Sequence, residues 1–224
     1  MPVGDFLHGK RGEQLSANTT MMRGIAVVVL TVAGAISPIV PHAMAEPPGS
    51  ALTPSGSPGP LGALTDLVTD RLHVSDDVAA AKFGTGSPID DPVRERQVLD
   101  QVRVRADTLG LDPNAVTAFF RDQINASKVV QRGLFARWTA HPNEAPTTRP
   151  DLGRIRIQLD RLTTALLEQL DATVDARTEP VPCVAHLTLA AGSTVVAERL
   201  DALHGRALGT AVRSICVPSP RETP

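Results

Sequence analysis

The chain has no tyrosine, one tryptophan and five phenylalanines in 224 residues, and its charges nearly cancel, with 22 Lys and Arg against 24 Asp and Glu. Neither an aromatic stacking platform nor a block of basic residues is present, which argues against nucleic-acid binding. There are only two cysteines, Cys183 and Cys216, and neither a CxxC nor a Cys/His cluster at ligand spacing. A zinc site is therefore not suggested. Alternating apolar stretches of useful length are missing, apart from an ambiguity at 193–197, and no internal repeat occurs. Strands are not expected.

What the N-terminal fifth does contain reads as a targeting sequence. Met21-Met22-Arg23, the apolar run IAVVVLTVAGAI and Ala43-Met44-Ala45 supply the charged start, short apolar middle and A-x-A site of a secretory signal at 21–45. A single-pass anchor is the competing reading, but the run is short for a membrane span and is followed by Pro38 and Pro41. Residues 1–20 are polar and mixed in charge, so translation is expected to begin at Met21 or Met22. Glu46 to Gly62 is a Pro/Gly/Ser-rich tether with too little apolar surface to fold. The folded domain is expected at 63–217, with a short tail at 218–224. In an exported chain an even cysteine count favours a disulfide over two free thiols.

Within the domain every readable segment is helical. Leu64, Leu67, Val68 and Leu72 recur at spacings of three and four, and Ser75 with Asp76 and Asp77 looks like a cap that opens a second segment or renews the first. Gly84 to Pro88 ends it. Asp91 before Pro92 caps the next helix, whose stripe is Leu99, Val102, Ala106 and Leu109, with a stop at Gly110. Asp112 and Pro113 then open a long helix through Val116, Phe119, Phe120, Ile124, Leu134 and Trp138, fading at His141-Pro142. Asp151 caps a fourth helix through Leu152, Ile155, Leu159, Leu162, Leu166 and Leu170. After a break at Pro180-Val181-Pro182, a last helix runs from Gly192 to Cys216 through Val196, Leu200, Leu203, Ala207 and Ala211. The fold class is all-α, an irregular bundle of about six helices.

Polar residues interrupt these stripes. Ser127 and Gln131 fall on the apolar face of the long helix, where burial is costly unless each is hydrogen-bonded. Ser127 could bond the carbonyl one turn back and Gln131 could reach water at the stripe's edge; alternatively, both line a polar interior. Arg71, Lys82, Arg94 and Arg156 lie beside core-facing positions on four segments. Salt bridges at the bundle edge would account for them, and so would a small anion with more than one carboxylate, which arginine forks match with paired hydrogen bonds.

Arg71, Lys82, the stretch IDDPVRER, the stretch DQINASKVVQ, and Arg156 after Pro150-Asp151-Leu152 together resemble the all-α chorismate mutases (type II fold). The Cys183/Cys216 pair and the loop FARW…PNEAP…PDL are similar to their secreted branch, which has a cleaved signal and one disulfide. The resemblance spans about 63–217, with eight positions in register. It implies an isomerase that rearranges chorismate to prephenate for aromatic amino acid biosynthesis, with no cofactor, metal or covalent intermediate. It also implies a homodimer with each site within one chain, and no membrane anchor once the signal is removed. Arg71 and Arg156 would grip the substrate carboxylates, with Arg94 beside them. Lys82 and Gln131 would donate to the ether oxygen. Asp91 through its backbone, and Glu95, would meet the ring hydroxyl, and Ser127 would assist at the ring carboxylate.

The chain departs from the secreted pattern at several positions. Gln131 stands for Glu, Ser127 for Thr and Glu95 for an apolar residue, all as in the cytoplasmic branch, and Val98 replaces an amide. Gly84 and Gly86 replace bulkier residues and should loosen the first helix end. Two other readings stay open: an exported helical module that binds an anionic metabolite or host partner without turnover, and a structural envelope protein.

Overall fold

Asp-Pro and Asp-x-x signals, rather than propensity alone, open most of the helices. In the computed structural model, which describes residues 56–216, Asp91 Oδ1 accepts from the Arg94 N–H at 3.0 Å and opens α2, Pro92–Thr108. Asp112 accepts from Asn114 at 2.8 Å and opens α3, Pro113–Ala140. Asp151 accepts from Arg154 at 2.8 Å and opens α4, Leu152–Ala172. Each such cap stabilises its helix by about 1 kcal/mol. Before these comes α1, Gly62–Lys82; after them come α5, Val174–Thr178, α6, Pro180–Ala197, and α7, Ala202–Ala211, with one 3-10 turn at Pro142–Glu144. No strand occurs among the described residues, so the class is all-α. The expected extension at 1–20, the leader at 21–45, the first part of the tether and the tail at 218–224 lie outside the described residues.

The long helix α3 is the centre of the packing. α1, α2 and α7 lie against it, and α1 also carries α4 and α6. Phe119 and Phe120 are fully buried and meet edge to face at 5.2 Å, surrounded by Leu64, Val68, Leu166, Leu167 and Leu208. Burial of each such ring contributes on the order of 1.5–3 kcal/mol. Where α7 crosses α3, a Cβ on Gly133 would sit 2.5 Å from Leu203 Cδ1. A larger residue there would force the Leu203 side chain to move. Phe83, just past α1, packs edge-on to Phe135 and Trp138 at 5.3 and 5.2 Å, which pins the C-terminus of α1 to α3. Beyond it Gly84 and Gly86 adopt φ of 70° and 77°, a left-handed backbone that favours glycine, and the chain turns there toward α2.

Several sequence expectations are corrected. Ser75 caps nothing: α1 runs through it unbroken, and its hydroxyl is buried and donates to Arg71 O one turn back. Leu109, just past the end of α2, is 44% exposed, whereas Ala106 in the last turn is fully buried. The break expected at Pro180-Val181-Pro182 falls just before it, at Glu179 between α5 and α6, and the prolines themselves begin α6, because prolines are tolerated in a first helical turn, whose N–H groups lack intrahelical partners. The predicted 192–216 helix is instead split at Glu198–Asp201, where Arg199 has φ 50°, and Val196 is 77% exposed. The tether expected to be unfolded to 62 is docked from Gly56, with the Ser57 N–H donating to Asp66 Oδ2 at 3.0 Å and Leu61 fully buried. Cys183, in the first turn of α6, is disulfide-bonded to Cys216, so the end of the chain after α7 is tied to α6.

Candidate active site

A cavity of about 240 Å³ opens between α1, α2, α3 and α4. Arg71, Lys82, Asp91, Arg94, Glu95, Ser127, Gln131 and Arg156 all line it, so every residue singled out from the sequence falls on one wall or another. Val78, Ile89, Val98, Ile124, Leu152 and Ile155 supply its apolar surface. A partly open, largely apolar pocket with a few convergent charges suits a small polar ligand.

Arg71 is 8% exposed, although it is a cation. Its Nη1 reaches only Leu159 O and Thr163 Oγ1, both at 3.4 Å, and its guanidinium lies 6.0 Å from the centre of the Phe120 ring. Burial pulls its pKa down to about 10, against the opposing pull of Asp160. Lys82, half-buried, donates one N–H to Pro88 O at 2.9 Å. Burial lowers its pKa below the ordinary lysine value, while Asp91, Asp90 and Glu95 pull the other way. Among the described residues, Arg71, Lys82, Arg94 and Arg156 form no ion pair. Of the four, Arg71 is buried without a counter-charge and Lys82 is half-buried, whereas Arg94 and Arg156 are exposed at the cavity wall; an anion in the cavity would answer the buried charge of Arg71.

On α3, Gln131 is 4% exposed and its Nε2 donates to Ser127 Oγ at 3.0 Å. Nε2 carries a second N–H, and Oε1 is buried with no partner. Leaving such an atom unpaired costs about 1–3 kcal/mol. The stripe position is therefore polar on purpose rather than satisfied by water at an edge, and Ser127 bonds Gln131 rather than a carbonyl one turn back.

Glu95 is held from two sides. Oε1 accepts the Asp91 N–H at 3.2 Å, and Oε2 accepts from Lys128 Nζ at 2.7 Å. The Asp91 backbone N–H, at the cavity wall, donates to the Glu95 carboxylate and helps to orient it. Lys128, Arg105, Gln101, Asp160 and Thr163 also line the cavity and were not picked out from the sequence. The signal was available for two of them. Lys128 follows Ile124 by four and precedes Gln131 by three, and Arg105 lies on the face of Arg94 and Val98 at helical spacing. Arg105 Nη2 donates to Thr164 Oγ1 at 2.8 Å, tying α2 to α4 across the cavity rim.

Comparison with known proteins gives one consistent answer. The profile of the family described as chorismate mutase type II matches residues 62–132. The chain is 33% identical over 196 residues to the secreted chorismate mutase of Mycolicibacterium smegmatis, covering 88% of this chain and 99% of that one. It is 34% identical over 174 residues to the secreted chorismate mutase of Mycobacterium tuberculosis, covering 78% and 87%. A crystal structure of chorismate mutase from Burkholderia phymatum superposes with a TM-score of 0.67 at 35% identity, covering 70% of this chain and 96% of that one.

Proposed function

The chain belongs to the chorismate mutase family, and from that membership we propose that its cavity rearranges chorismate to prephenate by holding the reactive conformer and meeting charge on the breaking ether oxygen. Arg71, Arg94 and Arg156 hold the two carboxylates, with Ser127 beside the ring carboxylate. Lys82 and Gln131 donate to the ether oxygen, and Glu95 accepts from the ring hydroxyl. The reaction is pericyclic, so the side chains need neither a nucleophile nor a proton relay; preorganisation and electrostatics do the work. Lys82 has two N–H groups left after Pro88 O, and Gln131 has one left after Ser127. Both can therefore donate without breaking an existing bond.

The observation that carries this reading is a pocket lined by Arg71, Lys82, Arg94 and Arg156, none of them ion-paired among the described residues, in which the Gln131 amide keeps one N–H to donate. A dicarboxylate with an ether oxygen between its acid groups answers the charges in that arrangement. The test is direct: the purified protein, with no additive, should abolish the chorismate absorbance, and a bicyclic analogue of the transition state should raise the melting temperature. Unchanged absorbance combined with a thermal shift would mean an exported binding module; neither signal would mean a structural protein.

Export is part of the same reading. The mycobacterial relatives are named as secreted, a leader pattern ending near Ala45 precedes the domain, and a disulfide such as Cys183–Cys216 is rare in a reducing cytosol. A homodimer with a full site in each protomer fits the residues too, since Arg156 of α4 lines the cavity together with the other seven from the same chain.

A further inference from the structure

The proposed mechanism leaves one buried charge of the cavity wall unused. Lys128, whose side chain is 14% exposed, points from α3 at two carboxylates of the α2 N-terminus: Glu95 Oε2 at 2.7 Å and Asp90 Oδ1 at 3.2 Å. Burial works against its charge, but the hydrogen bonds to Glu95 and Asp90 outweigh that and raise its pKa. Asp90 is held in turn by Arg132, one helical turn beyond Lys128, at 2.7 Å. These contacts fasten the Pro88–Asp91 turn to α3. That same turn supplies the carbonyl of Pro88 that accepts from Lys82 Nζ, and the N–H of Asp91 that donates to Glu95 Oε1.

We propose that Lys128 is a positioning residue for the rearrangement, fixing the direction of the Glu95 carboxylate at the cavity wall. This rests on the mutase reading of the cavity. Glu95 has both oxygens engaged before any ligand arrives, so the lone pair that remains on Oε2 has a set direction, and a ring hydroxyl meets an oriented acceptor. Lys128 does not touch the reacting atoms. Its effect passes through Glu95, and that makes it separable from a general packing role.

The experiment is a double-mutant cycle on the full exported chain, read by steady-state chorismate consumption. Lys128→Met keeps the length of the side chain and removes the charge; kcat should fall on the order of tenfold, with a smaller change in KM. Lys128→Arg, which can still reach both carboxylates, should recover most of the loss. In a Glu95→Gln background, Lys128→Met should cost no more than about twofold, because the group it positions has already been altered. If Lys128→Met does not fold, Lys128→Gln is read against the same thresholds. Wild-type kcat in the Met or Gln variant, or losses that multiply with Glu95→Gln, would overturn the positioning role while leaving the mutase reading intact. A wild-type protein that consumes no chorismate would overturn the mutase reading itself.

Discussion

Replacing Gln131 by Glu turns the proposed donor into a titratable one. The amide donates an N–H at every pH, whereas a carboxyl group donates only when protonated. With an ordinary glutamate pKa of about 4.3, roughly one molecule in 500 would be protonated at pH 7. The site is 4% exposed, and burial raises a carboxyl pKa, while Lys82 and the arginines around the cavity lower it. A net rise of about two units would leave roughly one molecule in six protonated. Turnover of the Gln131→Glu protein at pH 7 should therefore be lower by a factor between about 6 and about 500, and should rise toward tenfold per unit as the pH falls to the new pKa. Initial rates of chorismate consumption from pH 4.5 to 8 would measure this, with the wild type nearly flat over the acid half of that range. A variant rate within twofold of wild type at pH 7, or a wild-type rate that collapses between pH 7 and 5, would remove Gln131 from the ether oxygen.

Other consequences are equally measurable. Lys82→Ala should lower kcat by on the order of 10² to 10³, the usual effect of losing a preorganised donor, and an effect below tenfold would separate this lysine from the reacting oxygen. The depressed Lys82 pKa also predicts an alkaline loss of activity that begins below the pH expected for an exposed lysine. Breaking the disulfide by Cys183→Ala with Cys216→Ala should cost up to about 4 kcal/mol by loop entropy, for a sequence separation of 33, while leaving kcat near wild type at temperatures where the protein is folded; urea unfolding reports the difference. His204, between Asp76 at 3.0 Å and Asp201 at 2.7 Å, has its pKa raised to about 9, chiefly by its hydrogen bond to Asp76. A raised histidine pKa stabilises the folded state fully below about pH 6.5, and that contribution is lost as pH climbs through about 9. Urea midpoints should fall across that window in the wild type and much less in His204→Gln.

Local chemistry made the starts of α2, α3 and α4 readable, because Asp91, Asp112 and Asp151 satisfy the first free N–H groups of their own helices. The end of α1 was readable too, since Gly84 and Gly86 take a left-handed backbone. Apolar spacing of three and four then marked the buried faces, and polar residues that broke the spacing marked the cavity. Arg71, Ser127, Gln131 and Arg156 were legible because each is an exception to a regular pattern. Features whose partners lie far along the chain were not legible. Gln123 falls at the centre of the apolar stripe, four residues after Phe119, yet the pattern does not name its partner: it is 2% exposed and donates to Ala211 O, 88 residues away, and Asp122 accepts from Ser214 at 2.6 Å. The same holds for α6. Pro180 and Pro182 read as a break, yet they suit a first turn, which is tied at Cys183 to Cys216.

By itself, then, the sequence determined the helical class, most of the boundaries of the first four helices and the cysteine pairing, since these depend on neighbours within a few positions or on composition, while the resemblance to a known family supplied most of the residues around the cavity. Only the tertiary structure decided that the four cations carry no ion pair, that Glu95 is already gripped by Lys128 and the Asp91 N–H, and that α6 begins at its prolines. Those outcomes depend on which helices meet, and periodicity within one helix carries no information about the face of another.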